Sequence, residues 1–180
     1  MSLFLNNVKN KDIWWSGKTQ SMNNAYLLIG GNEGNRLDFL KQAHNYITSL
    51  LGEISQQSSI YETAAWGNTG QPDFLNQALL VQTPLTAALL ISNILVIEKK
   101  MGRIRKEKYG RRTIDIDILF YNNEIINLPE LKIPHPEIPN RRFALVPMHE
   151  IAGDFIHPIL KKDILTLLHD CKDKLNVKKI

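Results

Sequence analysis

The run Thr113-Ile114-Asp115-Ile116-Asp117-Ile118-Leu119 leaves the chain little freedom in how it can fold around it. Alternation of isoleucine with aspartate has the period of a β-strand, in which successive side chains point to opposite faces. The isoleucines then require an apolar layer on one side, and both carboxylates share the other. Two acids side by side repel each other, which costs stability unless a cation is present. Hard oxygen donors in this arrangement suit Mg2+, which takes a few carboxylates together with substrate phosphate oxygens. Taken alone, Asp115 and Asp117 also fit a solvated polar strand face, and the same pair occurs in unrelated phosphoryl and glycosyl transferases.

The charge around this strand narrows the reading. Between Lys99 and Arg112 eight basic residues stand against the single acid Glu107, a local charge of +7 in a chain whose total is +4. Such a concentration suits a polyanionic ligand, a nucleoside triphosphate or a nucleic acid. The aspartates favour the nucleotide, because two carboxylates beside the phosphate path repel DNA without a metal. Arg111 and Arg112 place planar donors for phosphate oxygens next to the acidic strand. Glu98, at the end of the preceding helix, either supports the metal or forms a surface ion pair. His135, flanked by Pro134 and Pro136, lies in a segment with little apolar pattern, which argues against a core role. The basic loop from Met101 to Arg112 has almost no apolar anchors and is expected to act as a lid.

The chain has 180 residues, 43% of them hydrophobic, which suits one core. Residues 1–22 read as a peripheral N-terminal extension and 23–180 as the domain. Cys171 has no internal disulfide partner, the first residues lack a signal-peptide core, and no run reaches transmembrane length, so a cytoplasmic protein with no membrane partner is expected. Apolar spacing predicts a strand over Ala25–Ile29 and a helix over Arg36–Leu51 with Leu37, Leu40, Ala43, Ile47, Leu50 and Leu51 on its apolar face. It predicts strands over Ile54–Tyr61 and Phe74–Gln82, then a helix over Pro84–Met101 with Pro84 in its first turn. After the acidic strand come a turn at Asn122 and Asn123, a short strand, a proline-rich irregular segment, and helices over Phe143–Ile151 and Ile164–Leu175. This order predicts an α+β sandwich of ferredoxin-like type with an antiparallel sheet.

Two further segments bear on function. Gly30-Gly31-Asn32-Glu33-Gly34-Asn35 follows a strand and precedes a helix, but it lacks both the Gly-Lys-Ser/Thr ending and the spacing of a dinucleotide loop, and is not read as the nucleotide site. The stretch Thr63-Ala64-Ala65-Trp66-Gly67 through Gln71-Pro72-Asp73-Phe74-Leu75-Asn76 holds the materials for stacking and hydrogen-bonding a flat heterocycle. Composition alone equally allows Trp66 and Phe74 as core.

The ordered set Ile29-Gly30-Gly31-Asn32, Tyr61-Glu62-Thr63, Gln71 to Asn76, Glu98 to Arg105, Lys108 to Asp117, Pro134-His135 and Asn140-Arg141 resembles the 6-hydroxymethyl-7,8-dihydropterin pyrophosphokinase (HPPK) family. The resemblance runs from about Ala25 to the C-terminal helix. It implies a three-layer, ferredoxin-like α+β fold, ATP as co-substrate, and two Mg2+ ions on Asp115 and Asp117. It implies ATP contacts from Glu98, Arg103, Arg105, Arg112, Ile116, His135 and Arg141, with Arg103, Arg112 and Asp117 as the catalytic group. It further implies a pterin between Phe74 and Phe143, read at its edge by Asn76 and the backbone around Thr63, with Ala64 and Trp66 beside it. ATP and the hydroxymethylpterin are then the partners, with no nucleic acid, and the protein is expected to be a monomer. The chain has Ala64, Ala65 and Trp66 where the family usually has prolines and a leucine, Tyr109 where a tryptophan is common, and Arg111 where a small residue or proline is usual.

Overall fold

The structure, a computed structural model, describes residues 21–67, 70–103 and 110–180. Strand β1 (Asn23–Gly31) leads to α1 (Arg36–Leu50), β2 (Glu53–Gln57), β3 (Tyr61–Thr63), β4 (Phe74–Thr83), α2 (Ala87–Lys100) and β5 (Asp115–Tyr121). The hairpin β6 (Ile126–Leu128) and β7 (Leu131–Ile133) follows, then a 3-10 turn (Ile138–Asn140), α3 (Arg142–Ala152), α4 (Ile164–Asp170) and β8 (Val177–Lys179). The main sheet runs β5-β1-β4-β3-β8, with β2 also pairing β4, and its pairings are antiparallel. With β2 and β3 sharing one edge of β4, this is the ferredoxin-like arrangement.

Both faces of the sheet are covered, which makes three layers. Ala25, Leu27 and Ile29 of β1 pack with Leu40, Ala43 and Ile47 of α1 and Leu90, Ile94 and Ile97 of α2. Leu28, on the other face, packs with Leu119, Phe120, Ala144, Leu145 and Met148 beneath α3, and with Ile164 and Leu167 of α4. Burial on both sides explains why β1 reads as a continuous apolar run. Each fully buried leucine or isoleucine contributes about 1.5–3 kcal/mol.

Several expected elements have different bounds. The strand expected over Ile54–Tyr61 is two strands, β2 on Leu79 to Gln82 of β4 and β3 on Phe74 to Asn76. The break lies at Ser58, whose hydroxyl accepts from the Ala78 N–H while its own N–H donates to the Ala78 carbonyl. Helix α2 starts later than expected because Thr86 caps it, so Pro84 lies before the cap. The last helix stops at Asp170 rather than Leu175, and the chain turns to add β8 to the sheet. The proline-rich segment is more regular than expected, since Pro129 sits at the tip of the β6–β7 hairpin. Leu37, in the first turn of α1, is half exposed. The extension up to residue 20 lies outside the described residues.

Gly30 and Gly31 end β1 where three segments converge. A Cβ on Gly31 would stand 2.3 Å from the Thr113 carbonyl oxygen, and one on Gly30 would stand 2.8 Å from the Leu75 carbonyl oxygen. The obstacles are backbone, so neither position can relax cheaply. Gly31→Ala is expected to destabilise the fold by about 1–3 kcal/mol, measured as a drop in the urea midpoint at unchanged slope.

The third layer is fastened by Glu150 of α3. Its carboxylate accepts from the Ser59 N–H (2.9 Å), the Ser59 hydroxyl (2.8 Å), the Tyr61 hydroxyl (2.7 Å) and Lys179 Nζ (3.0 Å). Partial burial would raise this carboxyl, but hydrogen bonds from Tyr61, Ser59 and Lys179 outweigh it and bring the pKa down to about 2 from an ordinary 4.5. The folded pKa lies below the unfolded one, so the stabilisation is present above about pH 5 and is lost as the pH falls toward 2. Thermal melts between pH 5 and 2 are expected to fall more steeply for the wild type than for Glu150→Gln, and parallel curves would remove Glu150 from the account.

Candidate active site

One cleft, of about 470 Å³, lies where the C-terminal end of β1, the start of β5, the β3–β4 loop and the start of α3 meet. Its floor is the register of β1 with its neighbours. Gly30 pairs with Asp115 on one side and with Asn76 on the other. Because Gly30 has no side chain, the Asn76 amide lies across it, its Oδ1 only 2.0 Å from where a Cβ would stand. The same amide donates to Thr63 Oγ1 at 2.7 Å, satisfying two buried polar groups at once.

The aspartates share the cleft face of β5, while Ile116 and Ile118 are buried behind them. The strand starts at Asp115, with Ile114 buried just before it. Asp115 is ion-paired to Arg112 and, at 2.6 Å, to Arg103. Arg103 is also paired to Glu98, which is 3% exposed, so the surface alternative for Glu98 does not hold. Glu98 further accepts the Ile116 N–H at 3.0 Å and so ties α2 to the acidic strand. Among the described residues, Asp117 has only a long contact of 3.5 Å to Arg141. Burial, then the charge of Asp115, push the Asp117 carboxyl well above the ordinary carboxylate range, against the pull of Arg141 and Arg103.

His135 lines the cleft from the segment after β7. Burial and the Arg141 charge push its pKa down to about 4, so the ring is neutral at pH 7. Its Nδ1 accepts the Glu137 N–H at 3.2 Å, which leaves the hydrogen on Nε2 as a donor.

Thr63, Ala64, Trp66, Phe74, Asn76 and Phe143 form the other end of the same cleft. Two arginines lie over these rings: Arg112 over Phe74, with 5.7 Å from Cζ to centroid, and Arg141 over Trp66 at 5.3 Å and Phe143 at 5.7 Å. Of the residues expected from the sequence, all but Arg105 line this one cavity, and Arg105, with the middle of the expected lid at 104–109, lies outside the described residues.

Asn32 is a feature the sequence reading left without a role. Its amide donates to Gln71 Oε1 (3.0 Å) and to the Pro72 carbonyl (3.1 Å), and its Oδ1 accepts the Arg112 N–H (3.0 Å). The asparagine following two glycines was visible, but its partners lie 39 to 80 residues away and carry no local signal. Ile91 and Leu95 of α2 and Leu131 of the hairpin also line the cleft, and the sequence reading gave none of them a role.

The geometry defines a group-transfer site, with a charged middle between an aromatic end and an aliphatic end. Comparison with known proteins gives that class a family. Residues 26–153 match the family described as 7,8-dihydro-6-hydroxymethylpterin-pyrophosphokinase (HPPK). The chain is 40% identical over 143 residues to the 2-amino-4-hydroxy-6-hydroxymethyldihydropteridine pyrophosphokinase of Aquifex aeolicus, covering 79% of this chain and 89% of that one. It is 39% identical over 155 residues to the protein of the same name from Synechocystis, covering 84% and 79%. In structure it is similar to Plasmodium falciparum HPPK-DHPS with pterin and p-hydroxybenzoate, with a TM-score of 0.67 and 19% identity, covering 83% of this chain and 43% of that one. The chain therefore spans less than half of that solved protein, and the likeness concerns the fold. The chain belongs to the 7,8-dihydro-6-hydroxymethylpterin-pyrophosphokinase family.

Proposed function

We propose that the protein transfers the pyrophosphoryl group of ATP to the hydroxymethyl oxygen of 6-hydroxymethyl-7,8-dihydropterin, a step of folate biosynthesis. The pterin alcohol oxygen attacks the β-phosphorus, the bond from that phosphorus to the α–β bridging oxygen breaks, and AMP leaves with that oxygen. The observation that carries the reading is the layout of the cleft. Aromatic walls at Trp66, Phe74 and Phe143 suit one flat ring, aliphatic walls at Ile91, Leu95 and Leu131 suit another, and the charged middle suits the phosphates joining them.

The donors on β5 fit a hard divalent cation. Asp115 and Asp117 offer only oxygen from one strand face, and burial, then the charge of Asp115, make ionisation of Asp117 costly, a cost that a bound cation would offset. Two Mg2+ ions are expected on this pair, where they would neutralise phosphate oxygens and favour ionisation of the alcohol. The chain's own groups do the positioning. Arg103 and Arg112 neutralise charge that develops on the transferred group, and Arg141 and Arg105 hold the nucleotide phosphates. His135 donates from Nε2 to a phosphate oxygen without adding charge. Ile116 serves the nucleotide site through its N–H, which fixes Glu98. Asn76 and the backbone of Thr63 and Ala64 read the edge of the pterin.

Incubation with Mg-ATP and the hydroxymethyldihydropterin is expected to yield AMP and the pterin diphosphate in equal amounts. Release of ADP, or no pterin product, overturns the reading. The reading takes the protein as a cytoplasmic monomer. Among the described residues no helix is long and apolar enough to cross a membrane.

A further inference from the structure

Among the described residues, Arg141 is the least satisfied arginine of the cleft. A guanidinium offers five N–H donors, yet among the described residues Nε of Arg141 is buried without a hydrogen-bond partner, and Nη1 reaches Asp117 only at 3.5 Å. What Arg141 has instead is ring surface, with Cζ 5.3 Å from the Trp66 centroid and 5.7 Å from that of Phe143. Trp66 belongs to the β3–β4 loop and Phe143 to the first turn of α3, so the guanidinium closes the seam between two separate elements. Desolvated cation–π contacts are stronger than exposed ones, and the Arg141 side chain is 15% exposed.

We infer that Trp66 is a positioning residue that holds Arg141 on the aromatic walls in the empty protein, so that entry of the pterin ring releases Arg141 to the phosphates of the nucleotide. This rests on the functional reading above. The guanidinium and the flat ring need the same aromatic surface and cannot both have it. When nucleotide binds alone, Arg141 must leave the rings to reach phosphate, and that loss weakens nucleotide binding. When the ring is already in place, Arg141 has been displaced and the loss is absent. The two ligands are therefore coupled through one side chain, and the coupling is reciprocal.

Nucleotide binding should be measured by calorimetry with Mg2+ and a non-hydrolysable ATP analogue, with and without pterin, in the wild type, Trp66→Leu and Trp66→Phe. Trp66→Leu is expected to bind the analogue alone about two- to thirtyfold more tightly than the wild type, the range of one cation–π contact. The gain in nucleotide affinity caused by pterin should shrink in this variant, while Trp66→Phe retains most of both effects. With Trp14→Phe and Trp15→Phe, Trp66 becomes the sole indole of the chain. Its emission should then change when the analogue binds alone, and this response should vanish with Arg141→Ala. Equal affinities and equal coupling in the wild type and Trp66→Leu overturn the inference, as does an unchanged emission while the enzyme still forms product. A protein that binds no nucleotide and forms no product overturns the functional reading itself.

Discussion

Asp117→Asn is expected to lower turnover by about 10³-fold or more while leaving the melting temperature unchanged or higher. Asp115→Asn should lower turnover as deeply and also lower the melting temperature. The same chemistry is lost in both, because the two carboxylates occupy one strand face and act on the same phosphate chain. The difference lies in what each does in the empty protein. Asp115 balances two guanidinium groups, Arg103 and Arg112, and its neutralisation leaves two cations facing each other. Asp117 carries charge that its surroundings resist, since burial and Asp115 both raise its pKa. A group whose folded pKa lies above its unfolded value destabilises the fold once it ionises, so removing the charge relieves the fold at neutral pH. Turnover and thermal melts at pH 7 on the two variants check this, and equal destabilisation would show that the arginines do not discriminate between the aspartates.

The largest expected loss of stability is at Glu98. Glu98→Ala should cost about 3–5 kcal/mol, the range for breaking one side of a buried ion pair. The cost has two parts. Arg103, only 13% exposed, loses its buried counterion, and the Ile116 N–H loses its acceptor in the middle of the acidic strand. Glu98→Gln keeps an acceptor for Ile116 and is expected to recover part of the loss, with turnover still reduced because Arg103 is no longer fixed. Chemical denaturation of both variants separates the two parts. Equal loss in Ala and Gln would assign the whole effect to the charge.

What could be read in advance follows from the range of each signal. The β5 pattern was legible because a period of two and the pairing of like charges are local facts, and the structure places both aspartates on the cleft. Burial of β1 on both sides was legible as an unbroken apolar run, and the same composition does not say which helices cover which face. The division of the second strand was not legible, because it depends on the Ser58 side chain meeting Ala78 twenty residues away. Strand β8 was hidden because its three residues pair with β3 across more than a hundred positions. In the site, residue types pointed to phosphates and a flat ring. The placement of arginines on the rings, and of Glu98 in the interior, arose only when distant elements met.

The clasp made by Asn32 bears on how much the aromatic loop can vary. One amide fixes the far end of that loop, at Gln71 and Pro72, to Arg112, three residues before the strand that carries the aspartates. The clasp therefore holds the Phe74 end of the loop against the arginine beside the acidic strand. The near end, Ala64, Ala65 and Trp66, lies outside that clasp and has its own tie, from the Ala64 N–H to the Asn176 carbonyl. The two ends of the loop are thus anchored to different parts of the chain.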